Sequence, residues 1–137
     1  MKILTFKCHE RGLNRFFGPL EAKVMDVLWS GSEMSIKDVQ KKLEREKHLN
    51  FNTVMTVINR LVEKGVLVKR TEGRTSLYRP VLSREEFMET QSRELTHELM
   101  DEFGPLVVNH MLDALDEVDQ ELLDKLEEKL KQWKKET

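Results

Sequence analysis

At 137 residues and 39% hydrophobic content, the chain fits one domain of ordinary size or two small lobes with a modest core. Six glycines and 35% charged residues exclude a collagen-like or low-complexity chain, and no apolar run reaches the roughly 18 residues of a membrane span. The formal net charge of −2 conceals a division: residues 1–82 hold 16 Lys and Arg against 9 Asp and Glu, and residues 83–137 hold 7 against 16. A basic lobe suited to a polyanion and an acidic lobe with another task are expected.

Residues 1–18 read as an extension with Lys2, Lys7, Arg11 and Arg15 set against Glu10. Ile3, Leu4, Phe6, Phe16 and Phe17 are interleaved with them. Two readings stand: a basic arm on DNA, or a segment anchored by Phe16 and Phe17. The start lacks a secretory apolar region, so a cytoplasmic protein with no direct membrane binding is expected. The single cysteine, Cys8, excludes an intrachain disulfide and a multi-cysteine zinc site.

Residues 19–82 form the next expected unit. Gly18-Pro19 opens a helix whose stripe is Leu20, Val24, Val27 and Leu28, and Ser30-Gly31 closes it. Ser35 with Asp38 reads as a capping box, followed by Ile36, Val39 and Leu43. A third helix spans about Asn52 to Lys64, with Val54, Val57, Ile58, Leu61 and Val62 inward and Gly65 at its end. The period then changes to that of strands, with 66–71 and 75–79 joined through Glu72-Gly73-Arg74. Three helices and a hairpin in this order are those of a winged helix-turn-helix domain.

Residues 83–137 are expected to be helical throughout. Ser83 and Glu86 form a capping box, and Leu82 with Phe87 has hydrophobic-staple spacing. Phe87, Met88, Leu95, Leu99 and Phe103 mark one stripe, Gly104-Pro105 breaks the helix, and Leu106 to Leu115 begin another. Asp119 can cap a last helix with Leu122, Leu123, Leu126, Leu130 and Trp133 on its stripe. Three such helices are too few to bury all their stripes within one protomer; the alternative is that they fold back onto the basic lobe. A homodimer interface carrying Leu99, Phe103, Leu112, Leu122, Leu126, Leu130 and Trp133 is therefore expected. The fold class is mainly α with a small β-hairpin: an N-terminal winged helix and a C-terminal helical dimerisation lobe.

The third helix is the candidate DNA reader. Asn52, Thr56, Asn59 and Arg60 lie opposite its apolar stripe, with Thr53 at the margin. Short polar groups and an arginine reach base edges and phosphates, whereas carboxylates there would be repelled. The hairpin adds Lys69, Arg70 and Arg74, and residues 51–80 hold six Lys and Arg against two Asp and Glu. His97-Glu98 lacks the second histidine of a zinc-protease motif, Cys8-His9 is a short pair without further ligands, and no Gly-Lys-Ser/Thr phosphate loop occurs. No catalytic residue, metal or cofactor is expected.

The run from Leu20 to Trp29, the run from Asn52 to Gly65 and the turn Glu72-Gly73-Arg74 resemble the BlaI/MecI/CopY penicillinase-repressor family of winged-helix regulators. Tyr78-Arg79-Pro80 and Ser83 to Phe87 continue the resemblance, which spans about residues 19–135. It implies a dimeric transcriptional repressor on palindromic double-stranded operators, reading DNA through Thr53, Thr56, Asn59 and Arg60 with Arg74 in the wing. In the β-lactam-responsive branch a membrane-bound sensor metalloprotease relieves repression by cutting after an asparagine that precedes a phenylalanine. The matching pair here is Asn109-His110, with the aromatic ring replaced. The copper-responsive branch uses paired Cys-x-Cys motifs, and no cysteine follows Cys8, so copper-thiolate sensing is not expected. A winged-helix protein-interaction module and a small-molecule-gated regulator are the alternative readings.

Overall fold

A computed structural model describes residues 5–7, 9–115 and 120–136. Lys2, Ile3, Leu4 and Cys8 of the extension, and Asp119 expected as a helix cap, lie outside the described residues. The chain divides into two compact units, residues 1–94 and 95–137.

The first unit begins with a single 3-10 turn, Gly12–Arg15, followed by α1 (Pro19–Ser30), α2 (Ile36–Leu43) and α3 (Phe51–Glu63). Each start has the chemistry its sequence promises. Gly18 precedes Pro19, and the Glu21 carboxylate accepts the Gly18 N–H at 2.9 Å. Ser35 and Asp38 exchange bonds, the Asp38 N–H donating to Ser35 Oγ at 3.2 Å and the Ser35 N–H donating to Asp38 at 3.1 Å. Asn50 caps α3 by accepting the Thr53 N–H at 2.8 Å, which sets the start one residue earlier than the apolar spacing predicts. Gly65 ends α3 with φ of 80°, a left-handed conformation that favours glycine.

Strands β1 (Leu67–Glu72) and β2 (Thr75–Pro80) form an antiparallel ribbon with Leu67 opposite Pro80 and Glu72 opposite Thr75. The connection is the two-residue Gly73-Arg74, shorter than the expected three, because Glu72 still pairs. Gly73 has φ of 63°, consistent with a tight hairpin turn. Met34 exchanges both backbone hydrogen bonds with Tyr78, at 3.0 and 2.8 Å, tying the ribbon's base to the α1–α2 connection.

The core of this unit combines Val24, Met25 and Leu28 of α1, Val39 and Leu43 of α2, Val54, Ile58 and Leu61 of α3, and Leu67 and Tyr78 of the ribbon. Leu13, Phe16 and Phe17 join it, so the N-terminal segment is anchored as the phenylalanine reading expects. Phe17 stacks on Phe87 with centroids 5.3 Å apart, and Phe16 and Trp29 meet the same ring at 5.7 and 5.5 Å. The Trp29 indole N–H donates to the Leu82 carbonyl at 2.9 Å.

Phe87 lies on α4 (Arg84–Ala114), capped by the exchange between Ser83 and Glu86. Its first turns belong to the first unit, where Phe87 and Gln91 are fully buried. The stripe expected from Phe87 to Phe103 is therefore split: Phe87 packs inward, while Met88, Leu99 and Phe103 are exposed. Gly104-Pro105 breaks α4 as the sequence predicts: the backbone at Gly104 is non-helical, and two helical segments meet there at a kink. The second unit holds the remainder of α4 and α5 (Gln120–Glu136), and α5 has no buried residue.

Candidate nucleic-acid interface

Burial of one face of α3 exposes the other. With Val54, Val57, Ile58 and Leu61 turned into the core, Asn52, Thr56, Asn59 and Arg60 are exposed, and Thr53 is half-buried at the margin. The two threonine hydroxyls are already oriented: Thr53 Oγ1 donates to Asn50 Oδ1 at 2.9 Å, and Thr56 Oγ1 donates to the Asn52 carbonyl at 2.9 Å. Each hydroxyl proton is thus engaged, and what these residues offer outward is an oxygen acceptor and a methyl group. Such pairs suit a base amino group and a thymine methyl.

A groove of about 620 Å³ runs between the start of α2, α3 and the ribbon. Asn59 of α3, Lys69 of β1 and Arg74 of the turn line it, and they meet Lys37 and Lys41 from α2. Asp38 is the acidic side chain in this lining. Its carboxylate is engaged by the Ser35 N–H and hydroxyl, which hold its pKa below the ordinary value, so it is fixed as a helix cap. Asn52, Thr56 and Arg60, on the exposed part of α3, and Thr53 at its margin lie outside this groove.

The ribbon separates two cations that are neighbours in sequence. Side chains alternate along a strand, so Lys69 shares a face with Leu67, Thr71, Ser76 and Tyr78, whereas Arg70 shares the opposite face with Val68, Glu72 and Leu77. Only Lys69 lines the groove. Arg70 is gripped from the α1–α2 connection: its Nη2 lies 2.6 Å from Glu33 and 3.1 Å from Glu72, and its Nε donates to Glu33 at 3.1 Å. These bonds raise the Arg70 pKa, and the Arg70 guanidinium holds the Glu33 carboxyl below its ordinary value.

Lys64, at the end of α3, is also committed. Its Nζ lies 2.8 Å from Glu21 on the first turn of α1. Burial pushes the Glu21 carboxyl up, but the bonds from Lys64 and the Gly18 N–H outweigh it and the pKa ends below the ordinary value. Lys37 and Lys41 escaped the sequence reading. They stand four apart in α2, opposite the buried Val39 and Leu43, and that spacing is the signal that would have found them.

In the second unit Leu112, Leu122, Leu126, Leu130 and Trp133 are exposed, as are Leu99 and Phe103. Asn109 and His110 are exposed within the helical part of α4 beyond the kink. No described helix is long and apolar enough to cross a membrane.

Comparison with known proteins adds the lineage. A transcriptional regulator BlaI of Mycobacterium tuberculosis is 38% identical over 72 residues, 52% of this chain and 52% of the relative. The alignment thus spans about half the length of that relative. A penicillinase repressor of Bacillus licheniformis is 32% identical over 92 residues, 67% of this chain and 69% of the relative. A solution structure described as the DNA-binding domain of the repressor BlaI is 31% identical, covering 49% of this chain and 82% of that one with a TM-score of 0.46. The family profile described as penicillinase repressor matches residues 17–132. This chain belongs to the penicillinase repressor family.

Proposed function

We propose that the chain is a homodimeric transcriptional repressor that binds palindromic operator DNA. In this reading α3 enters the major groove, with Thr53, Thr56, Asn59 and Arg60 facing base edges, while Lys37, Lys41, Lys69 and Arg74 hold the flanking phosphates. The observation that carries it is the groove itself: cations from α2, β1 and the hairpin turn converge beside the polar face of α3. Arg70 contributes by fixing the ribbon through Glu33, not by touching DNA. The names of the relatives, a transcriptional regulator and a penicillinase repressor, support the same reading.

The exposed apolar faces of the second unit support self-association, since a second copy supplies a matching surface. The Asn109–His110 bond lies in that unit. Cutting there by a sensor metalloprotease would detach α5 from the DNA-binding unit and relieve repression by dissolving the dimer. No cofactor enters this scheme.

Selection from a random pool of duplexes, followed by titration at two salt concentrations, tests the reading. A recovered site with two inverted half-sites is expected, with affinity falling about 10³–10⁵-fold between about 50 and 200 mM salt, as for six to ten phosphate contacts. Recovery of no preferred sequence, together with salt-insensitive binding, would favour a protein-interaction module.

A further inference from the structure

The N-terminal segment does more than fill the core. Its residues 5–7 and 9–16 precede the stretch matched by the family profile. Backbone and side-chain bonds tie Lys7 to the core-facing end of the segment: the Lys7 N–H donates to the Arg15 carbonyl at 2.8 Å, and Lys7 Nζ donates to the Phe17 carbonyl at 2.8 Å. The Arg15 guanidinium lies 5.2 Å from the centroid of the Phe6 ring, which meets Phe16 at 5.6 Å.

This placement builds a cleft of about 290 Å³ between the segment, α1 and the first turn of α4. Arg11 and Asn14 come from the segment, Lys23 and Asp26 from α1, and Arg84 from α4, above an apolar floor that includes Leu13. Three cations thus face one carboxylate. Asp26 engages Arg84 at 3.1 Å, and Lys23 stands 3.7 Å from Glu46, which is not part of the lining. Among the described residues no carboxylate lies within ion-pair distance of Arg11. No residue of α2, α3 or the ribbon lines the cleft, so it is separate from the nucleic-acid groove.

We propose that this cleft binds the phosphate group of a small phosphorylated molecule. Cations arriving from three separate elements suit a compact dianion better than a single carboxylate, and the Asn14 amide can donate a further hydrogen bond. The volume lies near the lower bound for small-ligand sites, which fits a small phosphate ester and excludes a large apolar ligand. Such a ligand would bridge the N-terminal segment to the first residue of α4.

The test uses the full chain without DNA, so its outcome does not depend on the repressor reading. Inorganic phosphate is titrated against chloride at constant ionic strength while backbone amide resonances are followed. Saturable shifts confined to Arg11–Asn14, Ala22–Lys23 and Arg84 are expected, with Arg11→Ala weakening the apparent affinity about tenfold, as loss of a charge-assisted hydrogen bond would. Arg11→Glu should abolish saturation. Arg11 is exposed, and an unchanged melting temperature checks that each variant folds. Unsaturable shifts, or a curve that Arg11→Glu leaves unaltered, would overturn the proposal. A flat phosphate titration would also overturn it, and weaker DNA binding by Arg11→Ala in a separate titration would then assign the cleft to the DNA backbone.

Discussion

The two units are made from the same material, helices with apolar stripes, yet they dispose of their apolar faces in opposite ways. In the first, Val24, Leu28, Val39, Ile58 and Leu61 are each covered by a neighbouring element of the same unit. In the second, Leu126 keeps 40% of its surface exposed, Leu130 48% and Leu112 57%. An apolar stripe marks the face that water disfavours, and whether that face is covered within the protomer depends on how many elements the chain can bring against it.

The strongest way to break this contrast is to remove the ring at the centre of the first unit. Phe87→Ala deletes the partner of Phe16, Phe17 and Trp29 and should cost about 3–5 kcal/mol, read as a large fall in the melting temperature of that unit. A loss below about 1 kcal/mol would mean that the aromatic cluster is loosely packed. In the second unit the expected effect is on association. Leu126 and Leu130, at about 1.5–3 kcal/mol each for full burial, should together separate a dimer at micromolar concentration when both are changed to aspartate, as read by sedimentation. A double variant that stays dimeric would locate the interface elsewhere.

Within the first unit the ribbon sharpens the contrast further. Asn59→Ala should relax preference at one position of each half-site by about 1–3 kcal/mol, whereas Arg74→Ala should weaken all sequences alike and reduce the salt slope by about 0.9 per half-site. Lys69→Ala should resemble Arg74→Ala, while Arg70→Ala should leave the slope nearly intact because Arg70 is held by Glu33 on the other face. Equal slopes for the two would show that the ribbon turns over on binding. The smallest effect is expected at Glu21. Its carboxyl is held below the ordinary pKa, so its contribution is complete above that ordinary value and is lost as pH falls through the folded one. The melting-temperature gap between wild type and Glu21→Gln should therefore be present at pH 7 and close on acidification below about pH 4. A gap that widens in acid would reverse this sign.

Most of the first unit was legible in the sequence because its signals are local. Capping pairs three residues apart, Gly65 in a left-handed end and the change from helical to alternating spacing each act within a few residues. What escaped depends on which elements meet. Lys37 and Lys41 become part of the groove only because Met34 pairs with Tyr78 and draws α2 toward the ribbon. On charge alone Arg70 is indistinguishable from its neighbour Lys69, and strand alternation together with Glu33, far away in sequence, places it on the other face of the ribbon. The stripe beginning at Phe87 divides because the phenylalanines of the N-terminal segment claim its first member.

The central claim is that two copies, joined through the second unit, place two α3 helices on one duplex. Sedimentation of the full chain with a selected two-half-site duplex measures this directly. The account predicts two protomers per duplex, with Leu126→Asp/Leu130→Asp losing that complex while its first unit keeps the wild-type melting temperature. A one-to-one complex of undiminished affinity, unaffected by the double substitution, would contradict it.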